Sequence, residues 1–129
     1  MLLDIIVGYS GSSYDKFISV NEHNLKKLRY NYYKYSGSDE LWQPKKYRKK
    51  RAVVPAPHKP ECILEHIKKT SADYVMWLDA DAIIVDSIDE LLQYDLGVVT
   101  HRQIRTYRKG HFVNSGVVIF RNIPKIINF

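Results

Sequence analysis

The stretch Ala72-Asp-Tyr-Val-Met-Trp-Leu-Asp-Ala-Asp-Ala-Ile83 runs an apolar strand straight into two carboxylates, Asp79 and Asp81, one residue apart. Carboxylates at the end of a strand, rather than inside it, can meet water, and the one-residue spacing lets both approach a single cation. A hard divalent ion such as Mg²⁺ or Mn²⁺ prefers oxygen ligands, and the repulsion between two close carboxylates favours a cation between them. The same pair also suits a plainer role, solvating the strand end or capping the turn that follows.

The chain has 129 residues, enough for one domain with its own core over 1–129. Its net charge of +6 is uneven. Residues 1–60 carry twelve Lys/Arg against five Asp/Glu, whereas residues 61–129 carry eight against nine. The densest block is Pro44-Lys-Lys-Tyr-Arg-Lys-Lys-Arg51, which repels itself and lies in solvent unless an anion neutralises it. Cys62 is the single cysteine, so neither an internal disulfide nor a cysteine-rich zinc site can form, and a helix cysteine in a reducing compartment is the simple reading. The start, Met1-Leu-Leu-Asp-Ile-Ile-Val-Gly8, is a short apolar run broken by Asp4 without a basic leader. It reads as a first strand, neither signal peptide nor membrane span, which leaves the location open with the cytoplasm favoured.

Leu3 to Val7 suits a buried strand, and Gly8-Tyr-Ser-Gly-Ser-Ser13 supplies a turn with capping hydroxyls. A helix follows from Tyr14 to about Leu28, with Phe17, Val20, Leu25 and Leu28 near one stripe, and aromatic Tyr30 to Tyr35 suits a second strand. Glu40 to Lys59, with three prolines and the basic block, reads as a long loop with a binding role. Pro60 opens a helix packed through Ile63, Leu64 and Ile67. Beyond the carboxylates, Ile83 to Val85 suggests a brief strand and Ser87 with Glu90 a capping box for a short helix through Leu92. Gly97 to Thr100 and Val117 to Phe120 are further strand candidates. Alternating strands and helices predict an α/β domain, a mostly parallel sheet with helices on both faces. Pro124-Lys-Ile-Ile-Asn-Phe129 looks like the opening of a helix too short to stand alone, so the expectation is a chain truncated at the C-terminus, one completed by a partner, or a minimal domain.

A second constellation is His111-Phe-Val-Asn-Ser-Gly-Val-Val-Ile-Phe-Arg121, where Asn114 and Ser115 offer hydrogen bonds beside Gly116, which permits close backbone approach. The same Asn-Ser-Gly also suits an ordinary turn. Three functions compete on these residues. A metal at Asp79 and Asp81 could grip a diphosphate and stabilise it as a leaving group. Asp79 could instead be the nucleophile and Asp81 the acid/base of an aspartyl phosphatase-like hydrolase. Residues 44–51 and 102–109 could bind nucleic acid, with Tyr47 or Tyr107 stacking, although the carboxylate pair would repel the backbone and makes that partner the weaker expectation.

Taken together, Tyr74-Val-Met-Trp-Leu-Asp-Ala-Asp-Ala-Ile-Ile-Val-Asp86 and Phe112-Val-Asn-Ser-Gly-Val-Val-Ile-Phe-Arg-Asn122 resemble the Asp-x-Asp segment and the downstream Asn-Ser/Ala-Gly strand of GT-A fold nucleotide-sugar glycosyltransferases, in the retaining galactosyl- and glucosyltransferase branches. The resemblance implies a single Rossmann-like GT-A domain that transfers a sugar from a UDP-sugar or GDP-sugar to a hydroxyl acceptor on a glycan or protein. It also implies that Asp79 and Asp81 bind Mn²⁺ or Mg²⁺ bridged to the donor diphosphate. On the same footing, Gly8, Tyr9 and Ser10 lie in the segment that holds the nucleotide, and Asn114 and Ser115 line the sugar pocket. Trp42 with Lys45 and Lys46 would approach the phosphates, with Arg51 and Lys59 as alternative phosphate contacts. Enzymes of this fold are about twice as long, and their later region commonly supplies a histidine metal ligand that neither His101 nor His111 matches. A catalytically inactive donor-binding fragment is therefore the fourth reading.

Overall fold

The computed structural model describes residues 1–9, 12–35, 58–103 and 110–123, with 58, 99–103 and 110–115 described by backbone alone. Strand β1 (Leu3–Gly8) leads through a short 3-10 turn to helix α1 (Asp15–Leu28) and strand β2 (Asn31–Tyr35). Helix α2 (His58–Lys69) precedes β3 (Tyr74–Leu78), and a 3-10 turn (Asp89–Gln93) leads to β4 (Leu96–Gln103) and β5 (Gly110–Arg121). The five strands form one sheet in the order β2-β1-β3-β5-β4.

The sheet is mixed, and this corrects the expectation of a mostly parallel one. β1 pairs in parallel with β2 and with β3, but β5 runs antiparallel to both β3 and β4. Each parallel step spans a helix, because only a long crossover returns the chain to the same end of a sheet. No helix lies among the described residues between β4 and β5, and the two strands pair as antiparallel neighbours.

Helices do cover both faces. Ile5 and Val7 point toward α1, where Leu3, Ile5, Leu25, Tyr74, Met76 and Leu78 form one buried cluster and Val7, Ile18 and Ala80 another. The alternate residues Ile6, Val75 and Trp77 pack with Cys62 and Ile67 of α2. That alternation follows from the two-residue period of a strand, and a strand apolar on both faces is the one that takes the sheet's centre. All five residues of β3 are buried.

Local details differ from the sequence reading for physical reasons. In α1 the buried stripe is Ile18, Asn21 and Leu25, and Val20 faces solvent. α2 begins at His58, and Pro60 still falls in the first turn, where a missing N–H costs no intrahelical bond. Cys62 is fully buried on that helix, whereas Leu64 is exposed. Ile83 to Val85 is not a strand but an irregular segment with Ile84 buried and Ile83 and Val85 exposed. Ser87 Oγ accepts from the Asp89 amide at 3.2 Å, and the short 3-10 turn begins two residues beyond it. β5 is far longer than Val117–Phe120, so Asn114-Ser-Gly116 lies inside a strand and not in a turn. The segments Glu40–Pro57 and Pro124–Phe129 lie outside the described residues. No helix among the described residues is long and apolar enough to cross a membrane.

Three side chains converge on the buried Asp4 carboxylate of β1: Asn31 from β2, His66 from α2, and Thr70 from just beyond that helix. Asn31 Nδ2 donates to Asp4 Oδ1 at 2.9 Å, while Thr70 Oγ1 at 2.5 Å and His66 Nε2 at 2.9 Å reach Oδ2. With Nε2 donating to the carboxylate, His66 Nδ1 is left to accept from the Tyr35 hydroxyl at 2.9 Å. Such a network is stable only because each member is satisfied, since one orphaned buried group would cost more than the bond it lost.

Gly97 sets the spacing of the antiparallel pair. It lies opposite Ile119, and a Cβ built on it would stand 2.5 Å from the Ile119 Cγ2 methyl. Gly97→Ala must push a buried, β-branched side chain aside and is expected to lower stability by about 1–3 kcal/mol, the usual range for overpacking. Urea unfolding should show a lower midpoint at unchanged slope; an equal or higher midpoint would show that β4 and β5 can spread without loss.

Candidate functional site at the β1/β3 crevice

The order of the parallel strands locates a crevice. From β1 the chain crosses by α1 to β2 on one side, then returns by α2 to β3 on the other, so successive connections diverge between β1 and β3. At such a switch point the loops leaving the carboxyl ends separate and open a ligand crevice. The residues leaving there are Gly8 and Tyr9 from β1, and Asp79, Ala80 and Asp81 from β3.

Asp79 is held from several directions. Its amide donates to the Gly116 carbonyl at 2.7 Å, and its own carbonyl accepts from the Ala82 amide at 2.9 Å, closing the turn that carries Asp81 into solvent. Its side-chain Oδ1 accepts from Lys59 Nζ at 2.6 Å and from Trp77 Nε1 at 2.9 Å. The Lys59 ammonium also lies 5.6 Å from the centre of the Trp77 ring, in cation–π range. Lys59 was expected in a loop as a phosphate contact. It stands instead in the first turn of α2, paired with the first carboxylate.

Asn21 fixes the chain beyond the turn. This wholly buried residue donates from Nδ2 to the Ala82 carbonyl at 2.8 Å and accepts at Oδ1 from the Ile84 amide at 3.0 Å. Asn24, one turn further along α1, donates to the Ile84 carbonyl at 2.9 Å. These side chains give residues 82–84 the backbone partners that a neighbouring strand would otherwise supply.

The two motifs of the sequence meet through backbone. Leu78 pairs with Val117, and the next step is the Asp79 amide to the Gly116 carbonyl. On the other side of β5, Val98 pairs with Val118 but Val99 pairs with Asn114, so the ladder slips across Ser115, Gly116 and Val117. This register irregularity lies directly beside Asp79. Ser10, Trp42, Lys45, Lys46 and Arg51 lie outside the described residues, as do Arg105, Arg108 and Lys109 and the side chains of Asn114, Ser115, His101 and His111.

Aromatic side chains line the crevice's β1 side. Tyr9, Tyr14 and Tyr32 pack around Val7, Ile18 and Ala80, the residue between the two carboxylates. Tyr9 also continues the β1/β2 ladder, its amide donating to the Tyr35 carbonyl at 3.0 Å. Among the described residues the buried Tyr32 hydroxyl finds no hydrogen-bond partner. Burial pushes its pKa up to about 12; the Asn21 amide beside it, already committed to Ala82 and Ile84, tempers the shift, and Glu22 and Tyr9 add to it.

Sequence reasoning missed Asn21, Trp77 and Tyr32 as site residues. The available signal was the helical spacing of Ile18, Asn21 and Leu25, which puts a carboxamide on the buried stripe. Among the described residues no group of three or more His, Cys, Asp or Glu side chains forms a ready metal cage. Two strand-end carboxylates are nonetheless a sensible donor set for a hard cation that keeps waters and phosphate oxygens as its other ligands.

Comparison with known proteins places the fold. No family model and no curated protein matches the chain. Among solved structures it is similar to a glycosyltransferase involved in the glycosylation of the major capsid of PBCV-1, with TM-score 0.60 and 17% identity over 99% of this chain. It is similar to A197 from STIV at TM-score 0.60 and 14% identity, again over 99% of this chain. The chain spans 63% of the first of those structures and 68% of the second. It therefore has an α/β fold related to that of the GT-A glycosyltransferases.

The unpaired phenol gives a direct test of the crevice wall. A spectrophotometric titration should show a tyrosine ionising near pH 12 that is missing from Tyr32→Phe. Because its folded pKa is raised, the Tyr32 contribution to stability is complete below pH 10 and is lost as pH rises toward 12. Tyr32→Phe should remove that dependence and leave stability at neutral pH unchanged or raised by up to about 1 kcal/mol. A loss of several kcal/mol at neutral pH would show that the hydroxyl has a partner.

Proposed function

We propose that this chain binds a nucleotide-diphosphate sugar with a divalent cation, as the donor-binding part of a glycosyltransferase that passes the sugar to a hydroxyl acceptor. The observation that carries this reading is the hydrogen bond of the Asp79 amide to the Gly116 carbonyl. It puts the carboxylate pair and the Asn114-Ser-Gly116 segment side by side at the crevice of a glycosyltransferase-like fold.

In this account Asp79 and Asp81 hold Mn²⁺ or Mg²⁺. The ion, when bound, neutralises charge on the departing diphosphate. Tyr9, beside Ala80 at the end of β1, offers a flat apolar face to the base, and Gly8 lets the backbone come close to it. Lys59 supplies an ammonium for a phosphate oxygen. Ser10 and Arg51 would extend the nucleotide contacts, and Asn114 and Ser115 the sugar contacts. Transfer breaks the bond between the anomeric carbon and the diphosphate oxygen and forms one to the acceptor oxygen, whose proton leaves. The chain's part is to orient donor and acceptor and to stabilise the leaving group. The acceptor is a glycan or a protein hydroxyl, and the donor nucleotide is UDP or GDP.

Calorimetry with UDP and with GDP, in the presence and absence of Mn²⁺, tests this. Binding should require the metal and fall by at least about tenfold in Asp81→Asn, the loss expected when one of two charged ligands is neutralised. Absence of nucleotide binding in every condition would contradict the reading. So would tight RNA binding that needs no metal and is not competed by UDP or GDP.

A further inference from the structure

We propose that Lys59 is a tethered counter-ion that holds Asp79 until a diphosphate arrives, so that cation and nucleotide enter this site cooperatively. The inference rests on the nucleotide-binding reading and adds to it the order in which charges are exchanged.

The two carboxylates are not equivalent. Asp79 shares Oδ1 between Lys59 and Trp77, while Asp81 stands exposed in the turn. The Lys59 side chain is only 19% exposed and the Asp79 side chain 36%, so solvent and salt screen this pair less than a surface one. Trp77 contributes twice, its indole N–H to the carboxylate and its ring face to the ammonium. An ammonium is thus seated against the carboxylate that a divalent cation would need.

Charge counting gives the consequence. Asp79 and Asp81 alone present −2, but with Lys59 in place the three groups present −1, which lowers the attraction for a free divalent ion. A diphosphate supplies oxygens that pair well with an ammonium. Once Lys59 turns to them, Asp79 is released to the cation. The lysine stem has four rotatable bonds for such a movement, whereas the helix that bears it is fixed by His66 on Asp4 and by the buried Cys62. The head group can exchange partners while α2 stays in place. By linkage, whatever factor the nucleotide adds to metal affinity the metal adds to nucleotide affinity.

The test is a Mn²⁺ titration followed by the electron paramagnetic resonance signal of the free ion, alone and with saturating UDP or GDP, on wild type, Lys59→Met and Lys59→Arg. Wild type should bind Mn²⁺ about tenfold or more tightly with nucleotide than without, within the usual range of coupling between sites. Lys59→Met keeps an unbranched apolar side chain but removes the charge. It should bind Mn²⁺ alone about tenfold more tightly than wild type, so that the gain from adding nucleotide is about tenfold smaller than in wild type. Lys59→Arg keeps the charge and should retain the coupling. Wild type that binds Mn²⁺ equally with and without nucleotide overturns the proposal, whatever the variants do. So does Lys59→Met with wild-type affinity for Mn²⁺ alone, and in that case nucleotide-dependent metal binding by the wild type leaves the proposed function standing. No Mn²⁺ binding by the wild type in any condition overturns both.

Discussion

The hydrogen bond from the Asp79 amide to the Gly116 carbonyl, at 2.7 Å, ends the regular pairing of β3 with β5 and begins the turn of the carboxylates. Everything distinctive about the crevice depends on that junction. Below it, β3 is an all-apolar strand in the middle of the sheet, unable to hold a charge on either face. Above it, the chain must leave the sheet, and it does so under control: the Ala82 amide returns to the Asp79 carbonyl, Asn21 takes the Ala82 carbonyl and the Ile84 amide, and Asn24 takes the Ile84 carbonyl. Asp81 is consequently aimed at solvent by a backbone with little freedom. A site built this way can meet a ligand with small reorganisation.

The helices divide the work of positioning. α1 reaches the segment past the turn through Asn21 and Asn24, and α2 reaches the first carboxylate through Lys59. Each helix is in turn tied to the sheet by a buried group, Leu25 and Ile18 for α1, and Cys62, Ile67 and His66 for α2. The Asp4 network lies near the start of β1, away from the crevice, and its part is to keep α2 in register so that Lys59 stands where it does. The mixed sheet matters for the same reason. An antiparallel β5 brings Gly116 alongside the end of β3, which a parallel neighbour with a helical crossover would not do at that register.

The apolar content of β1 and β3 made both strands legible in the sequence, and the carboxylate pair at the end of β3 followed directly. The α/β character and the coverage of both faces were legible for the same reason: Ile5 and Ile6, or Val75 and Met76, are adjacent residues that must be buried on opposite sides. Strand direction was not legible, because the composition of a strand is the same whichever way it runs beside its neighbour. Ile83 to Val85 looked like a strand because β-branched residues favour strands wherever a partner exists; here the partners are two asparagine side chains on α1. Polar residues were the hardest to place. Asn21, Asp4 and His66 are buried, and only their long-range partners show why that burial is tolerable. The family resemblance suggests Lys59 as a phosphate contact, but its pairing with Asp79 joins residues on different elements, and spacing along the chain carries no trace of it.

The central claim is that a divalent cation and a nucleotide diphosphate share the turn at Asp79–Asp81. Paramagnetic broadening by Mn²⁺ in the ¹H–¹⁵N spectrum of the labelled chain, with and without UDP or GDP, tests it most directly. The account predicts broadening centred on the amides of Ala80, Asp81 and Gly116 that intensifies when nucleotide is added. Broadening centred on the other acidic stretch, Asp86 to Glu90, or unaffected by nucleotide, would contradict it.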